Sequence, residues 1–149
     1  MKDIQIQQVV RSEGPETHLS KQGTPTMGGT LILSSIFLSV ILWGDWENRY
    51  LWVAFLTAMS FGVLGWVDDR LKIKHRSSDG LSAGNKILWQ SVIALLACSY
   101  LYFSQENISE TSLIVPFFKD VSISLGLGFI LLSYFVVIGT SNAVNLTDG

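Results

Sequence analysis

Four long windows of this chain contain no Asp, Glu, Lys or Arg, and this pattern limits the possible folds most strongly. The windows are Gln22–Gly44, Tyr50–Val67, Ile87–Gln105 and Val121–Thr147, so every charged residue lies outside them. The hydrocarbon core of a bilayer is about 30 Å thick, and a helix of about 20 mostly apolar residues crosses it. Each window therefore has room for one transmembrane helix.

The windows predict an all-α, polytopic membrane helix bundle with transmembrane helices near 27–43, 50–67, 87–103 and 125–144. The alternative is a soluble bundle of four buried helices, which would normally carry a polar stripe with a period of 3.6 residues. Segments such as LILSSIFLSVILW (31–43) are relieved only by serine. The low charged fraction of 15% and the single cysteine also exclude a nucleic-acid binder, a disordered chain and a disulfide scaffold.

The basic residues predict the orientation of the bundle, because cytoplasmic loops are enriched in Lys and Arg. Eight of the ten lie before the first span or between the second and third spans: Lys2, Arg11, Lys21, Arg70, Lys72, Lys74, Arg76 and Lys86. Residues 1–26 and 68–86 are therefore expected to form cytoplasmic loops. Residues 104–124 would lie outside, where SLIVPFFKDVSI (112–123) has the short apolar runs of a small hairpin.

Three polar clusters lie at ends of the predicted spans. They are KQGTPTMGGT (21–30), GWVDDRLKIK (65–74) and TSNAVNLTDG (140–149). In the predicted topology all three clusters face the cytoplasm at the same depth. Polar groups at the edge of a membrane span are costly to place there and often functional, so this convergence indicates a site.

The acidic pair Asp68 and Asp69 directly follows the apolar end of the second span. Mg²⁺ prefers one or two carboxylates together with substrate phosphates and water, so the pair is a suitable half-site for this ion. The alternative is a solvated helix terminus. An acidic pair at a helix C-terminus opposes the helix dipole, however, so stability alone does not explain it.

The other two clusters allow both functional and structural interpretations. Asn142, Asn145 and Asp148 are spaced by three residues and would share one helix face toward a ligand, or they would cap a fraying helix end. Lys21 and Thr26 would bind anionic oxygen near a helix N-terminus, or they would belong to a tightly packed helix start. The lysines that follow Asp69 fit phosphate binding, although the positive-inside rule is sufficient for most of them.

Five blocks of the chain together resemble the phospho-N-acetylmuramoyl-pentapeptide transferases, a family of the polyprenyl-phosphate N-acetylhexosamine-1-phosphate transferase superfamily. The blocks are QVVRSEGPETHLSKQGTPTMGG (8–29), GWVDDRLKI (65–73), GLSAGNK (80–86), VPFFKD (115–120) and GTSNAVNLTDG (139–149). The runs GTPTMGG and NAVNLTDG set this family apart from relatives that use other UDP-sugars.

The resemblance implies a reaction in the bacterial cytoplasmic (inner) membrane, with the active face toward the cytoplasm. Undecaprenyl phosphate would attack the β-phosphate of UDP-N-acetylmuramoyl-pentapeptide, releasing UMP and forming the first lipid intermediate of peptidoglycan. Mg²⁺ would offset charge on the pyrophosphate and stabilise the leaving UMP. A homodimer is a further expectation from the resemblance, and no nucleic acid is expected as a partner.

The resemblance also assigns roles to eight residues of this sequence. The catalytic and metal-binding residues that it implies are Asp68, Asp69 and Asp148, with Asp68 as the candidate base acting on the lipid phosphate. The substrate-binding residues that it implies are Lys21, Thr26, Lys72, Lys86 and Asn145.

The resemblance covers part of a longer pattern, since the family has about ten spans. The chain is therefore expected to be an internal fragment that holds half of the metal site and lacks transferase activity by itself. Three rival functions stay open at this point. They are an N-acetylglucosamine-1-phosphate transferase of the same superfamily, a transporter or channel subunit with the acidic pair in an ion path, and a non-catalytic membrane remnant.

Overall fold

Four helices form most of the part of the chain that the structure describes. The computed structural model describes residues 28–75, 80–115, 117–118 and 121–148, with residues 147 and 148 described by their backbone alone. The helices are α1 (Gly28–Trp43), α2 (Arg49–His75), α3 (Ala83–Phe103) and α4 (Gly128–Asp148). A 3₁₀ turn (Ile108–Thr111) and two short strands, β1 (Ser112–Ile114) and β2 (Ser122–Ser124), connect α3 to α4.

The helices have the length and surface of membrane-spanning segments. Within the described residues, α2, α3 and the Gly128–Leu146 part of α4 are long and apolar enough to cross a bilayer, and α1 is a shorter apolar helix. At 1.5 Å per residue, the 16 residues of α1 extend about 24 Å. Large apolar side chains such as Leu96 (68% exposed) point outward. The predicted all-α membrane helix bundle is confirmed.

Helices α2 and α3 both extend into the expected 68–86 loop and shorten it. Helix α2 continues to His75, where Lys72, Lys74 and His75 complement the negative end of the helix dipole. Helix α3 begins at Ala83, because the Ser82 side chain accepts a hydrogen bond from the Asn85 N–H at 3.3 Å and caps the helix. Both extensions carry charged residues past the apolar windows.

Each helix packs mainly on its neighbours in sequence. Gly62 of α2 allows Leu33 of α1 to approach the backbone, since a Cβ at Gly62 would lie 2.4 Å from a Leu33 methyl group. Between α3 and α4, Asn142 Nδ2 donates to Gln90 Oε1 at 2.9 Å, and the hydroxyl groups of Ser91 and Tyr134 lie 2.9 Å apart. These four polar side chains in the apolar bundle are thus satisfied by contacts between helices.

Helix α4 starts three residues later than predicted. Gly126 has a positive φ of 51°, and the Gly128 N–H donates to the Leu125 carbonyl at 2.9 Å. Residues 125–127 therefore form a turn, and the helix begins after it. At its other end, α4 continues past the predicted residue 144 to Asp148.

An ionic cluster joins the start of α2 to the segment that follows α3. Arg49 donates to the Ser104 carbonyl and, at 2.5 Å, to Glu110 Oε2. The Tyr50 hydroxyl donates to the same Glu110 oxygen at 2.5 Å. Beyond this cluster, β1 and β2 pair antiparallel with Leu113 opposite Ile123, in the segment where a small hairpin was expected.

Candidate active site

Asp68 lies at the centre of a polar cluster at the charged end of α2 (residues 68–75). Its residue exposure is 5%, although it directly follows an apolar window. A buried carboxylate needs partners for its oxygen atoms. Oδ1 accepts a hydrogen bond from the Leu81 N–H at 2.7 Å, so the segment before α3 folds back onto the end of α2.

Two lysines face the other oxygen of Asp68. Lys72 Nζ lies 2.8 Å from Asp68 Oδ2 on the same helix, at the favourable i,i+4 spacing. Lys86 Nζ, from the first turns of α3, lies 3.8 Å from the same oxygen. The structure thus brings together Asp68, Lys72 and Lys86, three of the site residues predicted from the sequence.

Asp69 differs from its neighbour in exposure. Its side chain is 46% exposed, whereas the side chain of Asp68 is 8% exposed. Its described ionic contact is with Lys72 Nζ at 3.5 Å, beyond hydrogen-bond distance. Of the adjacent carboxylates, Asp69 is therefore the one that a soluble ligand reaches without displacing protein groups.

Gly80 and Leu81 complete the surroundings of Asp68, although no role was predicted for them from the sequence. A Cβ at Gly80 would lie 2.2 Å from Asp68 Oδ1 and 2.8 Å from the Asp68 carbonyl oxygen. Glycine is therefore required for this close approach. The sequence signal was a glycine shortly before the Ser82 helix cap, but neither periodicity nor charge indicated its partner.

The remaining predicted site residues are described only in part. Asn145 lies exposed near the end of α4, while the Asp148 side chain, Lys21 and Thr26 lie outside what the structure describes. In the described part of the chain, no three His, Cys, Asp or Glu side chains group closely enough to hold a metal ion. The predicted set of Asp68, Asp69 and Asp148 stays a prediction.

The chain matches a known family over most of its length. A sequence model of glycosyl transferase family 4 matches residues 51–149, which is more than half of the chain. The chain belongs to glycosyl transferase family 4. The match begins in α2 and includes Asp68, Asp69, Lys72, Gly80 and Lys86.

A second match is shorter and more specific. Signature 1 of the phospho-N-acetylmuramoyl-pentapeptide transferases matches residues 21–33, the segment that contains Lys21 and Thr26. Together with family 4 membership, this match supports a membrane enzyme that transfers a sugar phosphate from a nucleotide sugar to a polyprenyl phosphate. The resemblance found in the sequence is confirmed at the level of the family.

Proposed function

We propose that the chain carries part of the site that transfers phospho-N-acetylmuramoyl-pentapeptide from UDP to undecaprenyl phosphate. In this reaction an oxygen of the lipid phosphate bonds to the sugar-linked phosphorus of the UDP-sugar. The pyrophosphate bond to the uridine-bearing phosphate breaks, and UMP leaves. The proposed location is the bacterial cytoplasmic membrane, with the charged end of α2 facing the cytoplasm. The proposed assembly is a homodimer.

One observation carries the proposal. Two lysines and two aspartates meet at one helix end, in a chain whose residues 21–33 match the transferase signature. The lipid phosphate is confined to the membrane surface and the nucleotide sugar is dissolved beside it. A charged cluster that directly follows an apolar window suits a reaction between these two substrates.

The lysines are proposed to bind substrate phosphates. Lys72 and Lys86 have side chains that are 31% and 22% exposed, so both reach the cluster from its surface. Three negatively charged phosphate groups must come together in this reaction, and ammonium groups reduce their repulsion. Lys72 has the shorter contact with Asp68 and would have to exchange part of it for phosphate.

Mg²⁺ is proposed as the cofactor, and the chemistry of the donor set fits it in part. Asp69 offers an exposed carboxylate, and hard cations such as Mg²⁺ bind one or two carboxylates together with substrate phosphates. When bound, the ion would offset charge on the pyrophosphate and on the leaving UMP. Asp148 is the proposed second carboxylate.

Asp68 is placed differently from Asp69. Its Oδ1 is held by the Leu81 N–H and its Oδ2 faces two lysines, so its carboxylate is already satisfied by the protein. It would accept a proton from the lipid phosphate only after Lys72 has turned toward the substrates. The geometry therefore favours Asp69 for the metal and leaves Asp68 as the base only in a substrate-bound arrangement.

The proposal is tested by binding to the 149-residue chain in nanodiscs that contain undecaprenyl phosphate. We expect UDP-N-acetylmuramoyl-pentapeptide to bind with Mg²⁺ and to bind at least tenfold more weakly after chelation, a difference of about 1.4 kcal/mol. Asp69→Asn should remove this Mg²⁺ dependence. Asp45→Asn is the matched control, because Asp45 lies at the opposite end of the bundle, in the α1–α2 connection.

The comparison ligand is UDP-N-acetylglucosamine, the substrate of the rival transferase. Tighter binding of this nucleotide sugar would favour the rival over the proposed reaction. Equal Mg²⁺ dependence in the wild type and Asp69→Asn would remove Asp69 from the metal site. Absence of binding by both nucleotide sugars would contradict a substrate site formed by this chain.

A further inference from the structure

The hairpin between α3 and α4 presents an apolar tip that is not covered by the described protein. Phe117 is 100% exposed, and Phe118, its neighbour, is 65% exposed. Phe117 also has a positive φ of 73°, which a residue with a bulky side chain rarely adopts. Exposing two adjacent phenylalanines to water is unfavourable, so an apolar partner is expected for this turn.

The turn is built into the hairpin by its backbone hydrogen bonds. The Phe118 N–H donates to the Val115 carbonyl at 3.1 Å, and the Val121 N–H donates to the Phe118 carbonyl at 3.0 Å. The Val115 N–H in turn donates to the Val121 carbonyl at 3.1 Å. These bonds continue the pairing beyond β1 and β2 to Val115, Phe118 and Val121, so the backbone at Phe118 is held by the hairpin.

The hairpin is held at the end of the bundle that carries Arg49. Strand β2 packs on the 3₁₀ turn, and Glu110 of that turn binds Arg49 and Tyr50 of α2. Only three residues lie between Ser124, the end of β2, and Gly128, the start of α4, and these four residue steps limit their separation to about 14 Å. The hairpin therefore stays close to the ends of the membrane-spanning helices.

Apolar exposure continues from the hairpin onto the two flanking helices. Phe103, the last residue of α3, is 77% exposed, and Leu127, just before α4, is 66% exposed. Along the strands, Leu113 and Ile123 are paired and both are about half exposed. Exposed apolar side chains thus flank the hairpin on both sides in the chain, at the end of α3 and just before the start of α4.

The chemistry of the tip fits the boundary of a bilayer. Phenylalanine rings on the apolar side of an interfacial segment are buried at the boundary between headgroups and acyl chains. In the sequence, Lys119 and Asp120 directly follow the two phenylalanines. A charged pair at this place in the sequence opposes deep insertion of the segment, so a shallow position at the acyl boundary suits the two rings.

We propose that the hairpin is a membrane-docking element whose tip inserts Phe117 and Phe118 into the adjacent lipid leaflet. The occupant of the apolar surface is the lipid bilayer itself. The insertion would fix the connection between α3 and α4 to the membrane surface at the end of the bundle opposite the charged end of α2. This inference is independent of the proposed reaction.

Spin labels at single cysteines test the proposal in the full chain. Cys98 is the single cysteine and is buried, so Cys98→Ala provides the background. Phe117→Cys and Phe118→Cys carry the label at the tip. Leu96→Cys, 68% exposed within α3, is the lipid control, and Ser109→Cys, exposed in the 3₁₀ turn, is the aqueous control.

The measurement is the accessibility of each label to oxygen and to a water-soluble nickel complex, in phosphatidylcholine and phosphatidylglycerol vesicles. We expect the labels at Phe117→Cys and Phe118→Cys to be more accessible to oxygen than to the nickel complex, like the label at Leu96→Cys. The label at Ser109→Cys should show the opposite order. Nickel accessibility equal to that of Ser109 would place the tip in water and overturn the proposal. Low accessibility to both reagents would place it in a protein contact, which also overturns it.

Discussion

Replacing Gly80 by Ala tests whether the close approach of Gly80 to Asp68 holds the candidate site together. The new Cβ would lie 2.2 Å from Asp68 Oδ1 and 2.8 Å from the Asp68 carbonyl oxygen. Rotating the Asp68 side chain relieves only the first of these contacts. The second involves the backbone of α2, so the segment around Gly80 must move away from the helix.

The required movement is large compared with the hydrogen bond beside it. An ordinary contact starts at 3.4 Å, so the Cβ and Oδ1 must separate by a further 1.2 Å, from 2.2 to 3.4 Å. A shift of that size carries the Leu81 N–H, now 2.7 Å from Oδ1, out of hydrogen-bond range. Overpacking costs about 1–3 kcal/mol and a lost hydrogen bond to a charged group about 1.5–3 kcal/mol. The displacement that relieves the overpacking is the same one that breaks the hydrogen bond, so the two costs are not added in full. We therefore expect Gly80→Ala to cost about 2–3 kcal/mol in total.

Thermal unfolding in detergent measures this penalty, with Gly84→Ala as the matched control. A Cβ at Gly84 would meet nothing within 4 Å, and alanine favours a helix over glycine by up to about 1 kcal/mol. Gly80→Ala should therefore lower the melting temperature and Gly84→Ala should leave it unchanged or raise it. In an Asp68→Ala background the penalty of Gly80→Ala should shrink, because Oδ1 is gone. Equal effects of the two glycine substitutions, or additivity with Asp68→Ala, would refute the reasoning.

Two further contacts lead to predictions. Gln90→Leu removes the oxygen to which Asn142 donates. Such hydrogen bonds between membrane helices contribute about 0.6 kcal/mol on average and up to about 1.7 kcal/mol. We therefore expect the free energy of unfolding in detergent to fall by an amount in that range. A loss above about 3 kcal/mol would indicate a different role for Gln90. The hydrogen bond from Tyr50 lowers the pKa of Glu110 below its ordinary value of 4.5. The ionised carboxylate therefore adds to the stability of the folded chain above pH 4.5, and this contribution is lost as the pH falls through the lowered pKa. The melting-temperature difference between wild type and Glu110→Gln should therefore shrink on acidification, and a difference independent of pH would contradict this assignment.

The helices were predictable because the bilayer imposes a length and a composition on each span. Their ends were less predictable, since they depend on local contacts beyond the apolar windows. Helix α2 continues through Asp68 and Lys72, which form an i,i+4 pair, and α3 starts early at the Ser82 cap. Charge-free windows indicate which residues lie in the lipid, but they do not indicate whether a helix continues beyond the bilayer into water.

The candidate site was predictable in its residues and unpredictable in its contacts. Asp68 and Lys72 are neighbours on one helix, so their pairing follows from spacing. Lys86 reaches Asp68 only because the segment between α2 and α3 folds back, and this fold depends on Gly80 and on the Leu81 N–H. The unequal exposure of Asp68 and Asp69 likewise requires the tertiary structure.

The double engagement of Asp68 has a consequence for how the chain enters the membrane. Its first partner, Lys72, emerges on the same helix, so α2 can leave the translocon with one charge already compensated. Its other partners, Leu81 and Lys86, arrive only with the next helix. The carboxylate of Asp68 therefore gains its full set of partners, and its burial, only when α3 has packed beside α2.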